Sequence, residues 1–284
     1  MGITQKLKGH AFVKMFGTGN DFVILPCIGF RPQFSLQKLG RDLCDRRKGI
    51  GADQLLLLWK TQKKDVDFKL QIANPDGSEA EMCGNGIRCA AKFALESGLI
   101  SKREIAFETL SGIKKVKCLG KHSFQVDMGE PIVKGKDIPV TLSGRIINRP
   151  LKTEQKEFRI TCLSMGNPHC VIFVEDVDSY PVEKHGPYLE NYHTFPRRIN
   201  VEFVQVISPN EVKMRVWERG AGETHGCGTG ACAAVVASVL NGFTEREIVV
   251  AQRGGKADVN WDKKTGHVFL TGPVEEIFKG EIVI

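Results

Sequence analysis

Apolar and polar residues alternate along short stretches of this chain, and glycine-rich turns separate them. The pattern predicts mostly strands. Ala11–Phe16 and Phe22–Pro26 flank the turn Gly17-Thr18-Gly19-Asn20-Asp21 and predict a hairpin-like start. A helix is expected over Ser35–Asp45 with Ser35 as its N-cap, followed by a buried strand after Gly49-Ile50-Gly51-Ala52-Asp53 and another over Asp67–Ala73. A second helix, Gly84–Ser97, closes at Gly98, and strands are predicted over Ile105–Leu110, Lys114–Cys118 and Ser123–Met128.

The order then repeats. Phe158–Met165 leads through Gly166-Asn167-Pro168-His169 to a strand at Cys170–Val174, mirroring Gly19-Asn20-Asp21-Phe22. Tyr180–Tyr192 is expected to be helical in part, and Asn200–Val206 and Glu211–Trp217 alternate as strands. A helix over Thr229–Leu240 ends at Asn241-Gly242, and Glu247–Ala251 and Val268–Gly272 then match Glu104–Glu108 and Phe124–Gly129. Offsets this persistent across distinct elements indicate an internal duplication.

The helix of the second half has no polar face, from Ala231-Cys232-Ala233-Ala234-Val235-Val236-Ala237 to Leu240. Its counterpart in the first half is nearly as apolar, with Arg88, Lys92 and Glu96 as exceptions. Such helices must be buried on all sides, and with many strands around them this requires a bent sheet wrapped about each. The expected fold class is α+β: two pseudosymmetric domains, each a curved sheet or barrel of strands around a central helix, with the active site in the cleft between them. The first domain is drawn at 1–130, with the tail 273–284 packing back on it, and the second at 131–272.

Composition narrows the classes. Hydrophobic content of 42% and charged content of 26% describe a globular protein, and no apolar run reaches the length of a membrane span. The first ten residues lack the apolar core of a signal peptide, and Lys6 stands where a myristoylation pattern needs Ser or Thr. The expectation is a cytoplasmic protein with no membrane partner. The net charge of +7 is spread along the chain, and three Trp and three Tyr make no aromatic-basic platform, so no nucleic-acid partner is expected. Nine cysteines, an odd number with no Cys-x-x-Cys pair, argue against a disulfide framework and structural zinc, and no metal is expected.

Two of those cysteines differ from the rest. Asn74-Pro75-Asp76-Gly77-Ser78-Glu79-Ala80-Glu81-Met82-Cys83-Gly84-Asn85-Gly86 and Glu218-Arg219-Gly220-Ala221-Gly222-Glu223-Thr224-His225-Gly226-Cys227-Gly228-Thr229-Gly230 both run through glycines and acids into an Ala-rich helix. Each places a thiol at the positive end of a helix, where a thiolate is stabilised. Cys27, Cys44, Cys89, Cys118, Cys162, Cys170 and Cys232 are expected to be small buried hydrophobes. A thiolate and a thiol on opposite sides of one carbon can invert it: one removes a proton and the other returns one. Two helix N-termini, with backbone N–H groups near Gly84, Asn85, Gly228 and Thr229, would stabilise the carboxylate as charge moves into it. No Schiff-base lysine motif is evident, so the expected cofactor list is empty.

These motifs, with Lys14-Met15 and Gly17-x-Gly19-Asn20-Asp21-Phe22, resemble the diaminopimelate epimerase family across nearly the whole chain. The resemblance implies cofactor-independent interconversion of LL- and meso-2,6-diaminopimelate, an isomerase step in the lysine and peptidoglycan precursor pathway, in a homodimer. It implies Cys83 and Cys227 as the acid/base pair, with Gly84, Asn85, Gly228 and Thr229 on the reacting carboxylate. Asn20, Asn74, Asn167, Asn200, Glu218 and Arg219 would recognise the distal end of the substrate, Arg219 pairing its carboxylate and Glu218 its ammonium. Gln54 would line the pocket and His169 would tune or orient the thiols. The chain departs from the family pattern at Phe16, Pro75 and His225-Gly226. Another two-cysteine racemase, acting on proline or hydroxyproline, is the rival within enzymes, and a redox-sensing or metal-binding protein the rival outside them.

Overall fold

A computed structural model describes residues 9–29 and 35–282; most of the stretch read for targeting signals lies outside the described residues. The chain divides into two compact units, Met1–Val126 with Gly272–Ile284, and Asp127–Thr271.

In the first unit, β1 (His10–Gly17) and β2 (Asn20–Pro26) are antiparallel, as the glycine turn requires. Helix α1 (Leu36–Cys44) follows, and the predicted cap holds: the Ser35 hydroxyl oxygen accepts from the Lys38 N–H. The next strand, β3 (Gln54–Lys60), lies parallel to β2 and antiparallel to β4 (Phe68–Ala73), which pairs with the short β5 (Glu79–Ala80). Helix α2 (Gly84–Glu96) leads to β6 (Glu104–Thr109), parallel to β4, and then to β7 (Gly112–Cys118) and β8 (Ser123–Asp127).

The second unit repeats every one of these pairings. After β9 (Arg149–Lys152), β10 (Glu157–Ser164) and β11 (Pro168–Phe173) are antiparallel, helix α3 (Val182–Glu190) intervenes, and β12 (Asn200–Ser208) is parallel to β11. Then β13 (Glu211–Glu218), with the short β14 (Gly222–Thr224), precedes helix α4 (Gly228–Leu240). Strand β15 (Glu247–Gln252) is parallel to β13, and β16 (Gly255–Trp261) and β17 (Val268–Pro273) complete the set. Finally β18 (Glu275–Ile282) runs antiparallel to β1.

Each unit packs its strands around one helix, as the apolar helices demanded. Helix α2 lies against β1, β2, β3 and β7, and α4 against β10–β13, β15 and β16. Both helices stop where glycine takes a positive φ, Gly98 at 67° and Gly242 at 75°. Two expectations change. Arg88 and Lys92, read as polar exceptions on α2, are buried. Arg88 donates to Thr18 Oγ1 at 2.9 Å and to Asn85 Oδ1 at 2.8 Å, while Lys92 donates to Glu96 and to the Lys121 carbonyl. Cys118 is half-exposed, near the outer end of β7, where its thiol donates to the Gly120 carbonyl. Among the described residues no helix is long and apolar enough to cross a membrane.

One glycine in α3 has a consequence for the second cysteine loop. A Cβ on Gly186 would stand 2.6 Å from Cβ and Cγ of Trp217. Trp217 directly precedes Glu218 and is pinned by its indole N–H to Glu190 Oε2 at 2.8 Å. Gly186→Ala is therefore expected to lower stability by about 1–3 kcal/mol through overpacking, measured as a fall in the urea midpoint at unchanged slope.

Candidate active site

Cys83 and Cys227 occupy the same local structure in the two units. Each is the N-cap of its helix, with φ, ψ of −137°, 114° for Cys83 and −130°, 117° for Cys227. Each sulfur accepts from the backbone N–H three residues on, Gly86 or Gly230, at 3.4 Å. Each carbonyl accepts from the N–H four residues on, Ile87 or Ala231, at 2.9 Å. The amides of Gly84 and Asn85, and of Gly228 and Thr229, thus belong to first helical turns, whose N–H groups have no intrahelical partner. The glycine three residues after each cysteine is a packing requirement as well: a Cβ on Gly86 would meet Phe22 at 3.1 Å, and one on Gly230 would meet Glu202 Oε1 at 3.0 Å.

Around Cys83, the structure gathers the amide side chains into two linked pairs. Asn85 Nδ2 donates to Asn20 Oδ1 at 2.8 Å and to the Thr18 carbonyl at 3.1 Å. Gln54 Nε2 donates to Asn74 Oδ1 at 2.9 Å, and Asn74 Nδ2 to Ser78 Oγ at 3.0 Å. Gln54 Oε1 is buried with no hydrogen-bond partner among the described residues. Asn20 in turn donates to Asp53 Oδ2, a member of an ionic cluster the sequence did not announce. Arg46 makes a bidentate pair with Asp21 and bonds Asp53 at 2.7 Å, and Lys14 contacts Asp21 at 2.7 Å and donates to the Gly51 carbonyl. Burial alone would raise the Asp21 carboxyl, but Arg46, Lys14 and the Asp53 amide hold it down at about 2.

Around Cys227, a polar chain runs from the core to the sulfur. Glu202 Oε1 lies 2.7 Å from His169 Nδ1, both side chains fully buried. His169 Nε2 is 2.9 Å from Asn167 Oδ1, Asn167 Nδ2 donates to Thr229 Oγ1 at 3.2 Å, and Thr229 Oγ1 is 3.5 Å from Cys227 Sγ. The Cys227 amide donates to Gln252 Oε1 at 2.8 Å. Burial pushes the Cys227 thiol well above its ordinary value, the Glu218 and Glu202 carboxylates push it further, and bonds to Thr229 and Gly230 offset only part. Burial also raises Glu218, against hydrogen bonds from Thr224 and Cys227, and raises Glu202, against His169. Asn200 braces the loop: Nδ2 donates to the Pro168 carbonyl at 2.8 Å, and Oδ1 accepts from the Arg219 amide at 3.0 Å. Glu190 clamps the far side by accepting from the Gly220 amide. Arg219 itself is exposed.

The structure brings Asn20 to Asn85 in the first turn after Cys83, and chains His169 and Asn167 to Thr229 in the first turn after Cys227. Gln54 and Asn74 bond each other, Asn200 holds the Arg219 amide, the exposed Arg219 side chain donates to the Arg197 carbonyl, and Glu218 accepts from Thr224. Of the departures from the family pattern, Phe16 is half-buried in β1, and His225 is exposed, its carbonyl accepting from the Gly254 amide at 2.7 Å. Sequence reasoning missed Glu202, Asp53, Glu190 and Gln252. Asp53 had a signal, since it ends a glycine loop before a buried strand, as Asp21 ends the other. Glu202 gave no such signal: in a strand read as alternating, a glutamate between Val201 and Phe203 takes the solvent side, whereas the structure buries both faces.

The chain matches the family described as diaminopimelate epimerase over residues 12–134 and 161–277, one segment in each half. It is 48% identical to the diaminopimelate epimerase of Pelotomaculum thermopropionicum, covering 95% of this chain and 98% of that one, and 47% identical, with the same coverage, to that of Acetivibrio thermocellus. Among solved structures it resembles a probable proline racemase from Agrobacterium radiobacter K84 (TM-score 0.70, 14% identity, 96% and 92% of the two chains). A hydroxyproline epimerase from Agrobacterium vitis is as similar in fold (TM-score 0.70, 16% identity, 96% and 92%). With its two equivalent half-folds, a family match in each half and 48% identity to a diaminopimelate epimerase over 95% of its length, the chain belongs to the diaminopimelate epimerase family.

Proposed function

We propose that the chain interconverts LL- and meso-2,6-diaminopimelate by a two-base reaction that needs no cofactor, with Cys83 and Cys227 as the two acid/base groups. The observation that carries this is the duplication of one local structure: a cysteine N-cap whose sulfur accepts from the amide three residues on, once in each unit. One thiolate takes the α-proton, and the other thiol protonates the opposite face. The weak carbon acid is the demanding partner, so the first-turn amides of Gly84, Asn85, Gly228 and Thr229 serve the reacting carboxylate as it takes up charge. The Asn85 side chain is committed to Thr18, Asn20 and Arg88, which leaves its backbone N–H for that role. The unpartnered Gln54 Oε1 suits a donor such as a substrate ammonium. Asn20, Asn74, Asn167, Asn200, Glu218 and Arg219 supply the distal recognition, with Arg219 suited to a carboxylate and His169 orienting the thiol chemistry. The two domains, 1–130 with the tail and 131–272, then each contribute one base. The same reading makes the protein a cytoplasmic homodimer, and a solution mass equal to the single-chain 31.5 kDa would remove the dimer.

The test is incubation with LL-diaminopimelate in D2O. Two bases predict that the first meso product carries deuterium at the inverted α-carbon, because the returning proton comes from a thiol equilibrated with solvent. The recovered LL substrate should stay light. Product that keeps the original hydrogen would require a single base and would sink the assignment. Proline and hydroxyproline are expected to show no exchange; turnover of either would move the chain to the rival activity.

A further inference from the structure

Glu202 is a buried carboxylate that the epimerase reading does not use. It sits under the first turn of α4, with Oε1 3.0 Å from where a Cβ on Gly230 would stand, and Gly230 is the residue whose amide donates to Cys227 Sγ. Oε1 also meets His169 Nδ1, while Oε2 is buried with no partner among the described residues.

The duplication supplies its own control. Phe22 pairs with Gln54 in the first unit as His169 pairs with Asn200 in the second, so Phe22 and Leu56 occupy the positions of His169 and Glu202. A Cβ on Gly86 would accordingly meet Phe22 Cε1 at 3.1 Å and Leu56 Cδ2 at 3.2 Å. Beneath Cys83 there is hydrocarbon; beneath Cys227 there is an imidazole and a carboxylate.

Two anions at one helix N-terminus repel, so a Glu202 carboxylate under the turn opposes a thiolate at Cys227 unless His169 is protonated. The hydrogen-bond chain allows two proton arrangements. With Asn167 Oδ1 facing His169, the ring donates from both nitrogens and is a cation, Asn167 donates to Thr229, and the Thr229 hydroxyl is left to donate to a Cys227 thiolate. With the amide turned over, Asn167 donates to a neutral ring, Thr229 donates to Asn167, and the Cys227 thiol turns its one proton from Glu218 to Thr229. The proton lost by one end is held by the other, so charge is conserved. In both arrangements Nδ1–H points at Glu202.

Resting on the acid/base reading of Cys227, we propose that Glu202 is a positioning residue that makes the second cysteine unlike the first. It locks Nδ1–H of His169 and, through Asn167 and Thr229, couples the direction of the Thr229 hydroxyl to whether Cys227 holds its proton, favouring the thiol at rest. The charged groups acting on Cys227 are Glu218 from β13 and Glu202 from β12, with His169 from β11 against Glu202; β15 contributes the neutral Gln252.

The experiment is alkylation by iodoacetamide across pH, with each cysteine followed by peptide mass spectrometry and midpoints compared rather than rates. In the wild type the Cys227 midpoint is expected above that of Cys83. In Glu202→Gln, which keeps an acceptor for Nδ1–H and removes the charge, the Cys227 midpoint should fall by about one pH unit or more, while that of Cys83 stays in place. An unmoved Cys227 midpoint, or equal movement of both, overturns the proposal. Should Glu202→Gln fold poorly, nitrogen NMR of the wild-type histidines decides: His169 must carry its proton on Nδ1 at neutral pH, and an Nε2-only tautomer overturns the proposal. Neither readout requires turnover, so a failure in the isotope experiment remains distinguishable from a failure here.

Discussion

Replacing either Cys83 or Cys227 by alanine is expected to slow epimerisation by about 10²–10⁴-fold, the usual contribution of one acid/base group. The fold should survive. Each cysteine is also an N-cap, but a sulfur at 3.4 Å from its donor is a weak acceptor, so the lost cap costs about 0.5 kcal/mol, the low end of the range. Cys→Ser at either position separates the two roles: it restores the cap while supplying a hydroxyl far less acidic than a thiol. The two serine variants should match wild type in Tm and the alanine variants in rate. In a variant with one base left, that base can still remove a proton from the epimer presented to its face and return solvent deuterium to the same face. Exchange without inversion is then expected from one epimer only, a different one for each variant. Turnover near the wild-type rate by any of the four variants would show that the thiols are not the bases.

The parts of the site that could be read beforehand are those written into local sequence. A thiol before Gly-x-Gly and an Ala-rich run predicts its own helix start, and both copies formed one. The apolar faces of α2 and α4 predicted burial on all sides, because no soluble packing leaves Val235, Val236 and Ala237 unshielded. Ser35 announced its helix. What was not legible came from residues distant in sequence that meet only in the folded chain. Nothing in the local sequence pairs Lys14, Asp21, Arg46 and Asp53, which meet only when the strands bring them together. Arg88 read only as a polar exception on an apolar helix; its burial depends on Thr18 and on Asn85 one turn back. Glu202 was hidden for a related reason: β12 is buried on both faces, with Val201 and Phe203 in one core cluster and Glu202 on the opposite face, so alternation carried no information about polarity. The strands β9 and β18, each flanking the first long strand of its unit, were also missed, because β18 is largely exposed and β9 is only four residues long.

Asp21→Asn is expected to give the largest loss of stability of any single charge removal in the first unit, about 3–5 kcal/mol. Lys14 and Arg46 face Asp21 and Asp53, two cations against two carboxylates, and only Asp21 touches both cations. Lys14 is nearly inaccessible to water, so removing its partner leaves an ammonium whose remaining acceptor is the Gly51 carbonyl. The effect should reach the site, because Asp53 would turn toward the freed cations and away from Asn20, which it holds at 3.2 Å. A pH scan distinguishes this ionic account from lost packing. The folded-state value of Asp21 is about 2 against an ordinary 3.8. A depressed carboxyl stabilises the fold fully above the unfolded value and loses that contribution as pH falls through the folded one. Wild-type stability should therefore drop by about 2 kcal/mol from this group between roughly pH 4 and pH 2. Asp21→Asn should show lower stability at pH 7 and lack that component of the acid slope, so the two urea-unfolding curves converge toward pH 2. Parallel curves across the window would mean that the carboxylate contributes shape rather than charge.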